Sequence, residues 1–134
     1  MEALIVDDEG NLRRMVGALL ESEGYNVRGA ETAEAGLAEA EQATPDVVLL
    51  DLMLPGMTGL EALPRFDEVA PGVPVVMMSG QATLSDAVQA TRQGAFHFLE
   101  KPLSPESLLV TIGAALELSR VRALSRTLSE DLGP

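Results

Sequence analysis

Five polar residues in this chain stand at the ends of apolar runs, where carboxylates, hydroxyls and ammonium groups are least expected. "LIVDDEG" carries Leu4, Ile5 and Val6 straight into Asp7 and Asp8, and "VVLLDLMLPGMTG" carries two valines and two leucines into Asp51. "VPVVMMSG" ends in Ser79, and "AFHFLEKP" ends in Lys101. A carboxylate beside a buried strand is costly unless something pairs with it. Three aspartates brought together repel one another and call for a cation. An all-oxygen donor set without His or Cys favours a hard ion, and Mg²⁺ commonly takes one or two carboxylates while keeping several waters. Lys101 adds a compact positive charge suited to an oxyanion. It is the only lysine in the sequence, beside eight arginines. Ser79 adds a hydroxyl donor. A hard cation, an ammonium and a hydroxyl around one carboxylate are the parts phosphoryl transfer needs. Charge on the equatorial oxygens is neutralised, an in-line carboxylate attacks, and an aspartyl phosphate results.

These residues can cooperate only if the fold gathers them. Residues 2–6 read as a buried strand. From Asn11 to about Glu23, Leu12, Met15, Val16, Leu19 and Leu20 recur at helical spacing, and Gly24 closes that helix. Residues 25–30 form a short strand, and a helix rich in Ala and Glu follows with Thr32 as its N-cap. Strands are expected over 46–50, 73–78 and 95–99, and helices over Thr58–Glu68 and Ser85–Gln93. A last helix starts near Ser104, with Pro105 in its first turn. The order is β-α repeated five times. Strands that are apolar throughout, alternating with helices, imply a parallel sheet covered on both faces. The expected fold is therefore α/β: a doubly wound, flavodoxin-like (βα)5 sandwich with strand order 2-1-3-4-5. Sites in such sheets lie outside the carboxyl ends of the strands. Strands 1, 3, 4 and 5 are neighbours in that order, so all five polar residues fall in one crevice.

The 134 residues fit one domain, and a net charge of −12 argues against direct binding to nucleic acid or an anionic membrane. There are no cysteines, which excludes disulfides and thiolate metal sites. The start lacks the pattern of a secretory signal and no apolar run reaches a membrane span, so a cytoplasmic protein is expected. The last helix runs on to about Asp131, or ~42 Å at the α-helical rise. Ala114, Leu118, Val121, Ser125, Leu128 and Leu132 follow a 4-3-4-3-4 coiled-coil rhythm. The expected organisation is a domain over residues 1–118 and a C-terminal helical linker over 119–134.

With these motifs in place, the chain resembles the receiver domains of two-component response regulators over about residues 1–118. "VDDE", "LLDLMLPGMTG", "MMSG" and "FLEKP" stand in that family's order and at its spacing. The resemblance implies that Asp51 accepts phosphate from a histidine kinase. It implies that Asp8 binds Mg²⁺ directly, Asp7 directly or through water, and Met53 through its backbone carbonyl. Ser79 and Lys101 would bind the phosphoryl oxygens, Ser79 and Phe98 would form the switch, and the Lys101–Pro102 bond would be cis. The phosphorylated protein would repack the surface of helix 4, strand 5 and helix 5. It would not be an enzyme beyond its own phosphorylation and dephosphorylation. "GAFHFLEKPLSPESLLVTI" further resembles receivers of NtrC-type transcriptional activators, which implies a downstream AAA+ ATPase, a DNA-binding domain and a homodimer. His97 is less usual beside the switch aromatic.

Two other classes compete. A phosphatase of the haloacid-dehalogenase type wants a second Asp two residues after its nucleophile, where this chain has Met53. A degenerate receiver-like module that docks without phosphorylation would not need the intact acids and Lys101. Met53, Met57, Met77 and Met78 are expected to serve packing.

Overall fold

The computed structural model describes the backbone of residues 1–132 and the side chains of residues 1–125. Ten elements alternate in chain order: β1 (Glu2–Val6), α1 (Gly10–Ser22), β2 (Asn26–Ala30), α2 (Ala33–Gln42), β3 (Val47–Asp51), α3 (Gly59–Val69), β4 (Val75–Ser79), α4 (Leu84–Arg92), β5 (His97–Glu100) and α5 (Pro105–Leu132). The strands form one parallel sheet in the order β2-β1-β3-β4-β5, as expected from the sequence.

Each strand divides its side chains between two cores. Leu4, Val6, Val48, Leu50 and Met77 face one side, where they meet Leu63 and Phe66 of α3 and Ala90 of α4. Ala3, Ile5, Val47, Leu49, Val76 and Met78 face the other, against Leu12, Val16 and Leu20 of α1 and Leu108 and Ile112 of α5. Burial on both faces is why these strands read as unbroken apolar runs instead of alternating ones.

The helix starts follow capping chemistry. The Thr32 hydroxyl accepts from Ala35 N–H at 3.1 Å. Thr58 with Glu61, and Thr83 with Asp86, form reciprocal capping boxes at α3 and α4. At α1 the N-cap is Glu9, without a side-chain bond, which leaves Asp7 and Asp8 free of capping duty. Pro64 lies inside α3, where it removes one helical donor without ending the helix.

Three strands lie one or two residues further along the chain than the apolar runs predict. The expected 46–50, 73–78 and 95–99 become Val47–Asp51, Val75–Ser79 and His97–Glu100. At their starts, Val73 N–H turns back to Ala70 and Ala95 N–H closes α4 on Ala90. At their ends, Leu52 N–H donates to Met78 at 2.8 Å and Lys101 N–H to Ser79 at 2.9 Å, which extends the ladders past the last apolar residue. Asp51 and Ser79 are thus strand residues, held by the sheet itself.

On α5, Leu108, Thr111, Ile112, Ala115 and Leu116 are buried. Ala114, Val121 and Ser125 of the predicted seam are exposed and Leu118 is half-buried, so the seam lies off the core-facing stripe. Leu128 and Leu132 lie outside the residues whose side chains are described. Among the described residues no helix is long and apolar enough to cross a membrane.

Candidate functional site

β1 lies between β2 and β3, so the crossovers leaving it and entering β3 run in opposite directions. The resulting crevice at the strands' carboxyl ends is the usual site position in a doubly wound sheet. Asp7 follows β1 there and is fully buried; Asp51 ends β3 with 4% of its surface exposed, and Ser79 ends β4 with 1%. Asp8 is exposed at the mouth. One carboxylate oxygen each from Asp7, Asp8 and Asp51 lies within 4.8 Å of the others. The Lys101 ammonium reaches in from the end of β5, donating to Asp7 Oδ2 at 2.8 Å and pairing with Asp51 Oδ2 at 3.4 Å. All five residues singled out in the sequence meet in one place.

Each side chain is held by its own surroundings. Asp7 Oδ1 accepts from Glu9 N–H at 2.9 Å, and Asp51 Oδ1 accepts from Met53 N–H at 3.4 Å. The Ser79 hydroxyl oxygen accepts from Gln81 N–H at 3.2 Å, which leaves its proton free to donate. The Lys101–Pro102 bond is cis, as the resemblance implies. α3 begins against the back of the site. A Cβ on Gly59 would stand 2.3 Å from the Asp51 carbonyl oxygen and 2.9 Å from Leu52 Cα, so only glycine admits that approach.

Burial pushes the Asp51 carboxyl above the usual carboxylate range, and the neighbouring Asp7 charge pushes it the same way; the Lys101 charge and the Met53 N–H offset part of this. For Lys101, burial acts to lower the pKa, but the Asp7 hydrogen bond and the charges of Asp51 and Asp7 carry it upward overall. Three carboxyl groups face one ammonium, so the acids of the cluster outnumber its cation. Its donors are all oxygens, which fits a hard divalent cation. An open cavity of about 290 Å³ is lined by Asp8, Glu9, Asp51, Met53, Ser79, Gly80, Gln81 and Lys101. It gives a small anionic group access to Asp51.

Phe98 is half-buried, next to Met77 in the sheet register, and packs against the core on the α3 and α4 side. His97 is exposed. Met77 and Met78 are core residues, as expected, and Met57 is partly buried. Met53 departs from the packing role expected of it. The residue is 58% exposed because the turn after β3 carries it out to the cavity rim. Gly59 and Glu9 carried no signal in the sequence: one reads as an ordinary turn glycine in "MTG", the other as one of many surface acids.

The sequence profile of the response regulator receiver domain matches residues 3–113. The chain is 40% identical over 131 residues to the nitrogen assimilation regulatory protein NtrX of Azorhizobium caulinodans, a match covering 96% of this chain and 29% of that protein. A crystal structure of NtrX from Brucella abortus superposes with a TM-score of 0.89 at 36% identity, over 99% of this chain and 31% of that one. A CheY-like response regulator receiver domain protein from Methanospirillum hungatei superposes with a TM-score of 0.86 at 35% identity, over 90% of this chain and 97% of that one. The chain thus spans less than a third of NtrX and almost the whole of the solved Methanospirillum hungatei receiver domain chain.

Proposed function

Because the chain belongs to the response regulator receiver domain family, we propose that it is a phosphorylation-activated switch in which Asp51 takes a phosphoryl group from a histidine kinase. The observation that carries this reading is the Asp51 carboxylate: buried, crowded by Asp7, 3.4 Å from the Lys101 ammonium, and open to a cavity on its outer side.

The residues divide the work. Asp8, Asp7, Asp51 and the Met53 carbonyl would hold Mg²⁺, which supplies charge neutralisation for the incoming phosphoryl oxygens. A carboxylate oxygen of Asp51 attacks phosphorus; the O–P bond forms as the N–P bond to the donor imidazole breaks, and the imidazole takes up a proton. Lys101 turns its ammonium toward the new oxygens, and the Ser79 hydroxyl donates to one of them. The phosphoryl group brings about −1.5 to −2 charge and three acceptors. Gln81 N–H is bonded to Ser79, so movement of the hydroxyl draws the loop ahead of α4 with it. Phe98 then turns into the vacated space. The two packings of α4, β5 and α5 differ in their contacts with the phosphoryl group, and that difference sets the population shift.

In the wider assembly, we place a domain boundary near residue 118, with residues 119–134 as a linker helix that pairs two copies. It leads to an effector, by similarity an AAA+ ATPase and a DNA-binding domain of a transcriptional activator. The chain acts in the cytoplasm, makes no direct contact with nucleic acid or membrane, and performs no chemistry beyond its own phosphorylation and dephosphorylation.

Intact mass after incubation with acetyl phosphate and Mg²⁺ tests the chemistry. The expected result is a gain of one phosphoryl group, lost with a chelator and in Asp51→Asn. No gain with either acetyl phosphate or a cognate kinase would leave a docking module that works without phosphorylation.

A further inference from the structure

We infer that Arg13 is a positioning residue for the acidic cluster: its guanidinium fixes the peptide joining Asp7 to Asp8, and with it the direction in which Asp8 enters the metal site. This deepens the proposed function and rests on it.

Arg13 stands on the second turn of α1 and turns back toward the sheet. Its Nη1 donates to the Asp7 carbonyl oxygen at 2.6 Å, and its Nη2 pairs with the exposed Glu31 at 3.4 Å. The stem reaches that carbonyl by crossing β2 at Gly29. A Cβ there would stand 3.3 Å from Arg13 Cδ and 3.6 Å from Nε. Glycine at this strand position keeps the path clear, since a strand interior otherwise gains from a side chain.

The contact matters because the two carboxylates are held differently. Asp7 is fixed three times over: its N–H donates to Ala30 at 3.1 Å, Oδ1 accepts from Glu9, and Oδ2 accepts from Lys101. The Asp8 side chain takes no hydrogen bond among the described residues, so its aim is set by the backbone that carries it. That backbone is the Asp7–Asp8 peptide, and Arg13 holds the carbonyl of that peptide. A charge-assisted hydrogen bond to the group that orients a ligand is an outer-shell contact, and such contacts typically affect metal affinity by about 10- to 100-fold.

The sign of the effect separates positioning from simple electrostatics. Removing a cation near the cluster would, by charge alone, tighten Mg²⁺ binding. Removing a positioning residue loosens it. Calorimetric titration of the full chain with Mg²⁺ is therefore informative for wild type, Arg13→Ala, Arg13→Lys and Gly29→Ala. We expect about tenfold weaker binding for Arg13→Ala, at the low end of the outer-shell range because one of several backbone restraints is lost. Arg13→Lys, which keeps the charge and one donor, should fall between. Gly29→Ala, which crowds the arginine stem, should weaken binding in the same direction. Equal or tighter binding by Arg13→Ala overturns the inference. If Arg13→Ala does not fold, unchanged affinity in Gly29→Ala does so instead. Wild type that binds no Mg²⁺ overturns the proposed function itself; wild type that binds while the variants match it overturns only the role of Arg13.

Discussion

The Asp51 carboxylate meets opposing demands, since it must be charged to attack phosphorus yet sits almost wholly out of water. Burial and the Asp7 charge both raise its pKa from the ordinary 3.8. A raised carboxylate pKa means that ionising the group is harder in the fold than in the unfolded chain. The stability it contributes is full below the unfolded value and is lost as pH rises through the folded one. At neutral pH without metal, Asp51 therefore works against the fold. Asp51→Asn removes that ionisation and keeps a carbonyl acceptor for Met53 N–H. In a chelator, thermal unfolding of the variant should lie a few degrees above wild type at pH 7. The gap should close as pH falls below the ordinary carboxylate range. Mg²⁺ should narrow the gap at pH 7, because it stabilises wild type by mass action. A variant less stable than wild type at pH 7 in chelator would mean that the Lys101 pairing outweighs the burial cost.

The elements turn this local tension into a defined site, and the junction of β3 with α3 shows how closely they are fitted. Gly59 N–H donates to Leu52 at 2.9 Å, while the missing Cβ leaves room for the Asp51 carbonyl. Gly59→Ala would force the start of α3 off the end of β3. The expected cost is about 2–3 kcal/mol, the upper part of the range for overpacking, read from the urea midpoint, together with slower phosphoryl uptake because the displaced carbonyl belongs to Asp51. An unchanged midpoint would show that α3 can slide without disturbing the site. This junction also marks where sequence legibility ends. Asp7, Asp8, Asp51, Ser79 and Lys101 could be read because each interrupts an apolar run, and the (βα)5 order made their meeting a consequence of topology. Gly59 and Arg13 could not. Their roles are contacts with backbone atoms that only the fold brings near, and no spacing encodes those. The strand ends differ from the ends of the apolar runs for a related reason. Hydrophobicity stops at Leu50 and Met78, whereas the hydrogen-bond ladder continues through Asp51 and Ser79.

At the scale of the whole molecule, α5 joins two kinds of structure. Up to Leu116 it is part of the core, contributing Leu108, Ile112 and Ala115 at full burial. Past Leu118, Arg120, Val121, Arg122 and Leu124 are exposed. Arg122 does border a cavity of about 340 Å³ with Asp67 and Gln93 at the opposite end of the sheet from Asp51. A rim contact of that kind is worth little, about 0–1 kcal/mol if it pairs charges. Cutting the chain after residue 118 should therefore leave the core intact, with unfolding free energy from urea titration lowered by no more than about 1 kcal/mol and Mg²⁺-dependent phosphoryl uptake unchanged. Association should respond differently. If the seam through Ala114, Leu118, Val121 and Ser125 joins two copies, the full chain should sediment as a dimer at micromolar concentration and the shortened chain as a monomer. A large loss of stability on truncation would instead make the distal helix part of the domain and move the boundary beyond 118. Unchanged sedimentation would assign the exposed seam to something other than self-association.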